Sequence, residues 1–199
     1  MLCRCFKFGA ANSSNATVTP AVKAQNSNAK DNVISRIPLT EKQKFVLTKN
    51  WKGIDREVTE AGVEMFLKLF SLHPEYFELF PFHGIATSNE EKQRMDESLR
   101  AHGENVMKFI GQVISNIGND EKFFQLIDEN GRYHAHKKLF KPELFWMIEE
   151  PFLYSMKSIL RERYTDNMCS IYKTVIKLIL SELVKSCDDE LRKGQTINE

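Results

Sequence analysis

Two histidines stand out because each occupies the apolar stripe of its own helical pattern. His102 lies within residues 100–106 and His134 within residues 131–135, so the two are 32 positions apart. Around each of them, apolar residues recur at intervals of three and four, which is the periodicity of an amphipathic helix. Two such helices can present both imidazoles to a metal centre carried by one flat, apolar ligand. His102 and His134 are therefore the first candidates for chemistry.

The alternative is that each histidine is an ordinary core residue whose ring nitrogens find partners inside the fold. Burying an unpaired polar ring costs about 1–3 kcal/mol, so two inward imidazoles in one core indicate a common ligand. His136 is too close to His134 to share an ion with it, because positions two apart on a helix point about 200° apart. We expect His136 to face solvent or to lie beside a carboxylate of a ligand.

Several apolar residues could form the walls of such a site. Val106 lies one turn after His102 and would crowd whatever binds beside that imidazole. Phe66, Phe80 and Phe145 also fall on inward positions, although large inward aromatics by themselves indicate only a core. The sequence shows no glycine-rich phosphate loop, no cysteine–histidine nucleophile pair and no paired inward carboxylates. It therefore offers no apparatus for hydrolysis.

The first half of the folded part reads as helices that could position these side chains. Thr40 and Gln43 have the spacing of a capping box and should open a helix with Leu47, Trp51 and Ile54 on its inner face. A second stripe should end near His73, because the residue before a proline resists the helical conformation. A short aromatic piece follows, then a loop over residues 84–89. The next helix carries an apolar stripe, and Gly118 is predicted to end it. The second stripe comprises Val63, Phe66, Leu67 and Phe70, the aromatic piece Tyr76, Phe77, Leu79, Phe80 and Phe82, and the third stripe Met95, Leu99, His102, Val106, Phe109, Ile110 and Val113.

The second half continues the helical pattern. A helix with Phe124, Ile127, Gly131 and His134 on one side precedes another that starts at Pro142. Pro151 falls inside that second pattern, so we expect a kink or a free carbonyl there. The last helix should become charged and frayed from Cys187 onward. No segment alternates like a strand, and the prediction is an all-α fold of seven or eight helices.

Composition indicates one folded domain with a leader. The chain has 199 residues, 42% of them hydrophobic, and a formal net charge of +1. Residues 1–38 hold five basic side chains and one acidic, and residues 9–36 contain no aromatic residue, so this leader is expected to stay unfolded. We predict a folded domain over 39–187 and a charged tail over 188–199. Residues 39–199 together are slightly acidic, which argues against a nucleic-acid binder.

Membrane spans and cysteine frameworks are not indicated. No run of residues approaches the roughly 18 apolar positions that a spanning helix needs, and Arg4 and Lys7 interrupt any secretory core, so we expect a cytoplasmic protein. The cysteines are too scattered for a disulfide framework or a compact zinc site. We interpret Cys169 and Cys187 as ordinary thiols on helix faces.

In this order and spacing, the residues resemble the globin family over residues 39 to about 187. Trp51 is similar to the first-helix tryptophan, and Phe66 to the second-helix residue above the distal haem face. Pro74 followed by Phe80 resembles the proline and haem-stacking phenylalanine of the third helix. Residues 99–106 resemble the distal motif, residues 131–135 the proximal motif, and Phe140 to Phe145 the corner that opens the following helix.

The resemblance implies a globin fold around a haem b (iron protoporphyrin IX) pocket, with His134 as proximal and His102 as distal iron ligand. Phe66, Phe80, Val106, Phe140 and Phe145 would complete the cofactor site. Within the family, the 32-residue spacing looks more like neuroglobin and globin X than like myoglobin, which implies a hexacoordinate iron. Asn130 departs from the apolar residue that is usual one turn before the proximal histidine, and Pro151 interrupts the pattern of its helix.

Reversible binding of oxygen, for storage or transport, is the function that the resemblance implies most broadly. The alternative is a membrane-tethered redox or gas-sensing globin that has a reductase partner. Secondary nitric oxide dioxygenase, nitrite reductase or peroxidase activity is chemically open to such a haem, although the chain carries no reductase domain. The sequence does not determine the oligomeric state.

The start of the chain is a candidate lipid anchor. Cys3 and Cys5 lie among Arg4, Lys7 and two phenylalanines, a pattern that fits palmitoylation at the inner face of the plasma membrane. Position 2 is leucine, so the glycine that myristoylation requires is missing, and this departs from the usual globin X start. The alternative is an idle leader whose cysteines do nothing.

Overall fold

The structure, a computed structural model, describes residues 35–80 and 89–196, and all regular secondary structure in these ranges is helical. No strand occurs in these ranges, which confirms the predicted all-α class. Three 3₁₀ segments, Pro74–Leu79, Pro142–Ile148 and Arg161–Arg163, connect the longer helices. The α-helices are α1 (Glu41–Asp55), α2 (Val58–Leu72), α3 (Glu90–Met95), α4 (Glu97–Ser115), α5 (Asp120–Ala135), α6 (Glu149–Leu160) and α7 (Asp166–Thr196).

Helix α1 begins as predicted. The Gln43 amide donates to the Thr40 hydroxyl (3.3 Å), and the Thr40 amide donates to the Gln43 side-chain oxygen (2.9 Å). This reciprocal pair satisfies two backbone donors at the helix start. The predicted inner face of Leu47, Trp51 and Ile54 is buried.

Helices α2 and α4 cross in close contact, and this crossing fixes the position of His102. At the crossing, Gly62 of α2 meets Gly103 of α4, and a methyl group added at Gly103 would lie 2.7 Å from the Gly62 carbonyl carbon. Only residues without a β carbon allow two backbones to approach so closely. Helix α2 ends at Leu72, and His73 caps it, which confirms the boundary predicted from Pro74.

Two predictions for the α4 region were wrong. Met95, placed on the apolar stripe, is 75% exposed, because α3 ends there and the Asp96 carboxylate starts a new helix by accepting the Leu99 amide (2.8 Å). Gly118 does not cap α4 in a left-handed conformation: the helix ends at Ser115, and no glycine in the described residues has a positive φ. The Asn116 amide closes the end by donating to earlier carbonyls.

Helices α5 and α6 differ from prediction in detail. In α5 the buried aromatic is Phe123, whereas Phe124 is half-buried beneath the Arg36 guanidinium at 3.7 Å. The pattern around Pro151 is two elements, a 3₁₀ segment over Pro142–Ile148 and then α6 from Glu149. Pro151 is therefore the third residue of α6, in the first turn, where a helix has no use for the missing amide proton. The predicted helix is thus interrupted just before Pro151.

Helix α7 packs along α5 and is longer than predicted. A β carbon at Gly131 would lie 2.6 Å from the Ser186 β carbon, so these helices also touch closely. The helix continues through Cys187 to Thr196, which includes most of the predicted charged tail. None of the helices in the described residues has the length and apolarity to cross a bilayer.

Part of the predicted leader packs on the domain. The Arg36 amide donates to the Asp120 carboxylate at 2.7 Å, and Ile37 is buried. Residues 1–34, with Cys3 and Cys5, and residues 81–88, with most of the predicted loop and Phe82, lie outside the described residues.

Candidate functional site

A cavity lies between α2, α4, α5 and α7, and the two 3₁₀ segments at Pro74–Leu79 and Pro142–Ile148 close its ends. Its unfilled volume is about 1200 Å³, including the part that opens to solvent. Of the described residues that line it, Lys137 and Lys138 are the only charged ones. All seven residues that the sequence singled out line it: Phe66, Phe80, His102, Val106, His134, Phe140 and Phe145.

Helix α4 presents His102 to this cavity between two aromatic rings. Its imidazole centroid lies 4.9 Å from that of Phe66 and 5.4 Å from that of Phe80. Burial, with a smaller contribution from the nearby His134, lowers the pKa of His102 to about 4. The ring is therefore neutral at pH 7, when one nitrogen keeps a lone pair. Val106, one turn later, is half-buried on the same wall.

His134 faces the cavity from the last turn of α5, and its orientation is fixed. Its Nδ1 lies 2.9 Å from the Asn130 carbonyl oxygen. Because a carbonyl only accepts, Nδ1 carries the proton in the neutral ring, and Nε2 keeps the lone pair. Burial lowers the pKa of His134, and the Asn130 carbonyl partly offsets that effect. Phe140 and Phe145 hold the ring by contacts at 4.9 and 5.0 Å between centroids.

Asn130 provides this hydrogen bond through its main chain. Every residue type has a main-chain carbonyl. The side chain of Asn130, a residue that is 9% exposed, is therefore not needed to fix the His134 tautomer. Sequence reasoning could identify Asn130 as a departure from a pattern. Which of its groups meets His134 depends on the helical geometry of the last turn.

Several wall residues were missed as site residues in the sequence. One group lies on α7, where apolar residues recur at intervals of three and four. The other group lies on the 3₁₀ segments. The α7 periodicity indicates an inward face, but nothing in one helix says that this face meets a cavity rather than solid core. The missed residues are Ile176, Ile179, Leu180 and Leu183 on α7, and Tyr76, Leu79, Leu144 and Met147 on the 3₁₀ segments.

His136, Cys169 and Cys187 are not among the residues that line this cavity. The His136 side chain is 71% exposed, with Nε2 at 3.4 Å from the Glu190 carboxylate, which confirms that it faces solvent. Cys187 is buried and Cys169 is half-buried, and both are free thiols on α7. Neither is among the residues that line the cavity.

The arrangement suits a flat apolar ligand that carries a metal. Two neutral imidazoles on separate helices reach one cavity, where His134 helps to lower the pKa of His102. Aromatic rings form the walls, and two lysines lie at the mouth, where acidic groups of a ligand could remain in water. Neutral imidazole is a common metal ligand, whereas no carboxylate is found among the described residues that line the cavity.

Known proteins share both the sequence pattern and the fold. The chain is 22% identical to cytoglobin-1 from Oryzias latipes over 154 residues, which cover 77% of this chain and 86% of that protein. It is 24% identical to neuroglobin from Tetraodon nigroviridis over 145 residues, 73% of this chain and 90% of that one.

A solved structure described as a hexacoordinated haem protein from an anhydrobiotic tardigrade, at pH 4, superimposes with a TM-score of 0.72 and 29% identity. The alignment covers 77% of this chain and 97% of that one. The sequence model of the globin family matches residues 63–190, a range that includes both cavity histidines and extends from α2 into α7. Because that match covers more than half of the residues of this chain, the chain belongs to the globin family.

Proposed function

We propose that this chain binds one haem b non-covalently in the cavity and reversibly binds oxygen there. The observation that carries the proposal is the pair of neutral imidazoles, His102 and His134, in one apolar cavity, with the Nδ1 proton of His134 held by the Asn130 carbonyl. That bond leaves Nε2 of His134 as the metal ligand and makes it more basic. The membership of the globin family supports the same ligand.

The residues present fit this cofactor. The walls are aromatic and aliphatic, as a porphyrin plane requires, and Lys137 and Lys138 at the mouth can pair with its carboxylates. Neither Cys169 nor Cys187 lines the cavity, and the proposed attachment is non-covalent. A bound haem supplies an iron whose remaining coordination position accepts small gaseous ligands.

Each side chain would then have a distinct part. His134 would hold the metal, while Phe140 and Phe145 keep its ring from rotating. His102 faces the site from the opposite helix and would either occupy the remaining position or donate a hydrogen bond to the gas. Phe66 and Phe80 pack on His102 and exclude water from it.

The absorbance spectrum of purified protein tests haem binding. We expect His134→Ala to lose the Soret band or shift it strongly, because the ligand of the metal is gone. His136→Ala is the matched control, since it removes an exposed imidazole two residues away and should keep the wild-type spectrum. A His134→Ala variant with a normal Soret band would refute the assignment of the proximal ligand.

His102 is further proposed to coordinate the iron when no gas is bound. The tight packing of its ring between Phe66 and Phe80 supports this, as does the likeness to a haem protein described as hexacoordinated. An external ligand must then displace His102. The apparent affinity of that ligand falls in proportion to the fraction of the protein in which His102 is not bound to the iron. Deoxygenated ferrous protein should show two sharp visible bands, and His102→Leu should convert them into one broad band. A broad band in the wild type would contradict coordination.

A redox or gas-sensing role is the second candidate. The same packing of His102 favours it, because an iron that His102 also coordinated would suit electron transfer better than the carriage of oxygen. The oxygen dissociation constant and the autoxidation rate separate the two functions. Slow autoxidation with submillimolar affinity supports reversible oxygen binding. Rapid autoxidation would favour the redox role, and nitric oxide or nitrite turnover with a supplied reductant would then test for enzyme activity.

A further inference from the structure

The outer face of α1 carries a row of basic residues with one exposed phenylalanine among them. These residues recur at intervals of three and four, which places them within about 80° of one another around the helix. The opposite side of α1 holds the buried Leu47, Trp51 and Ile54, so the row faces away from the core. We call this row the α1 stripe: Lys42, Phe45, Lys49, Lys52 and the C-cap residue Arg56.

The cations of the α1 stripe are not neutralised by the domain. All four are exposed, and none of them forms an ion pair with a residue that the structure describes. Residues 40–56 carry five basic and two acidic side chains. Of the two carboxylates, Glu41 pairs with Lys44 at 2.9 Å, and Asp55 lies on the flank of the stripe. The helix therefore presents a net positive face on a domain that is otherwise slightly acidic.

Arg163 extends this positive surface at the C-terminal end of α1. A β carbon at Gly53 would lie 2.8 Å from the Arg163 guanidinium, so that side chain rests against the helix. Arg163 is exposed and has no ion-pair partner in the described parts of the chain. Two exposed carboxylates, Glu57 and Glu162, adjoin this end in sequence. The excess of positive charge is therefore greatest in the first turns of α1, around Phe45.

Phe45 projects into solvent in the middle of these cations. The residue is 61% exposed, and the Lys49 ammonium lies 5.0 Å from the centroid of its ring. A single exposed apolar side chain is ordinary, but its place in a row of unpaired cations is not. Two described apolar side chains are more exposed: Leu139, with a strained φ of 68°, lines the cavity, and Met95 ends α3. Phe45 thus combines with its neighbours into an aromatic and basic surface.

We propose that the α1 stripe is a membrane-contact surface, with its cations against the negative headgroups of an anionic bilayer and Phe45 among those headgroups. Lysine and arginine are attracted by the negative potential of such a surface, and aromatic rings favour the level of the headgroups. A straight helix face also meets a plane along its whole length. This inference depends neither on haem binding nor on acylation of the leader.

Two other partners fit the α1 stripe less well. The buried part of a protein interface is depleted in lysine, whereas lysine makes up three of the five positions of the stripe. Domains that bind nucleic acid are basic as a whole, whereas residues 39–199 together are slightly acidic. The sequence adds a point in favour of the bilayer: residues 1–38, which directly precede α1, hold five basic side chains and one acidic.

Vesicle binding of the full chain tests the proposal. Every form carries Cys3→Ser and Cys5→Ser, which exclude acyl chains, and the vesicles are phosphatidylcholine with or without phosphatidylserine. We expect the parent chain to bind only the anionic vesicles. Lys49→Gln with Lys52→Gln should weaken the partition coefficient about 25-fold, at about fivefold for each lysine. Lys49→Arg with Lys52→Arg keeps the charge and should retain binding.

Phe45 is tested separately. Phe45→Ala should weaken the partition coefficient about tenfold, because the ring no longer leaves water. Phe45→Trp should retain binding, and its fluorescence should shift to the blue with anionic vesicles, beyond any shift of the native tryptophans. Met95→Ala, which removes an exposed apolar side chain from α3, should bind as the parent does. A Phe45→Trp variant without this shift would show that the ring stays in water and would overturn the proposal.

The remaining controls separate a specific surface from general charge and from unfolding. Lys173→Gln with Lys185→Gln removes the same charge from exposed positions of α7 and should weaken binding far less. Because all the substituted side chains are exposed, the urea unfolding midpoints should stay at the parent value. Equal vesicle binding of the parent and Lys49→Gln with Lys52→Gln overturns the proposal. It is also overturned if the parent ignores anionic vesicles but binds RNA through the same two lysines, which would make nucleic acid the partner.

Discussion

At the scale of single residues, the two cavity histidines owe their properties to different causes. The tautomer of His134 is set by a main-chain carbonyl one turn earlier, so it survives a change of the Asn130 side chain. The neutrality of His102 comes mainly from burial between aromatic rings, with a contribution from His134. One ring is therefore oriented by a hydrogen bond and the other by its surroundings.

The lowered pKa of His102 predicts a pH-dependent stability of the apoprotein. The unfolded chain protonates this histidine near pH 6.5, while the folded chain resists until about pH 4. Between these values the unfolded state binds more protons, so the free energy of unfolding falls as pH falls from about 6.5 to 4. The full shift corresponds to about 3 kcal/mol, at about 1.4 kcal/mol per pKa unit.

Urea denaturation of the apoprotein from pH 7.5 to 4.5 checks this prediction. His102→Leu should reduce the slope of stability against pH, whereas His136→Ala, at an exposed site, should leave it unchanged. Because burial also lowers the pKa of His134, part of the slope should persist in His102→Leu. Identical pH profiles for the wild type and His102→Leu would show that burial of His102 has no such effect.

At the scale of helices, small residues and capping side chains decide how the elements meet. The glycines at the α2–α4 crossing let His102 approach the cavity from one side, and Gly131 lets α5 lie close to α7 on the other. Buried Ser155 of α6 donates to the Ala61 carbonyl of α2 at 2.6 Å, which ties a third helix to the same crossing.

Gly62→Ala is expected to destabilise the protein by about 3 kcal/mol, at the upper end of the range for overpacking. The added methyl would overlap the Gly103 carbonyl, which is backbone and has no rotamer with which to move away. Thermal or urea unfolding measures the loss. Gly118→Ala is the control, because no atom lies within 4 Å of its methyl and its φ is not positive, so the change should be neutral or slightly stabilising. Equal stability of the two variants would mean that the helices do not cross so closely.

At the scale of the whole molecule, the helical domain is joined to a leader of different character. We propose that residues 39–187 form the globin domain, and that the leader before it attaches the domain to a membrane through acyl chains on Cys3 and Cys5. Near the end of that leader, Ser35 and Arg36 donate hydrogen bonds to the Asp120 carboxylate of the domain.

Changing both Cys3 and Cys5 to serine is expected to release the chain from the membrane fraction of cells. Two acyl chains give stable attachment, since each buried CH₂ group contributes about 0.8 kcal/mol. Fractionation of cells that express each form measures the effect, and hydroxylamine, which cleaves thioesters, should release the wild type. Cys169→Ser is the control, because this cysteine lies on α7. If the wild type and the double variant distribute equally, no anchor exists.

The sequence by itself determined the helical class, most inner faces, and the residues of the candidate site. Helical periodicity and caps are local: the capping box at Thr40 and the stop before Pro74 require only neighbouring residues. The spacing of His102 and His134 belongs to a family pattern, so all seven candidate residues could be named before their positions were known.

Only the tertiary structure decided what depends on contacts between distant segments. The α7 wall residues look like any helix core until packing places a cavity beside them. The strained φ of Leu139 cannot be read from its side chain, because the turn that imposes it forms where α5 ends and the chain must reach Pro142.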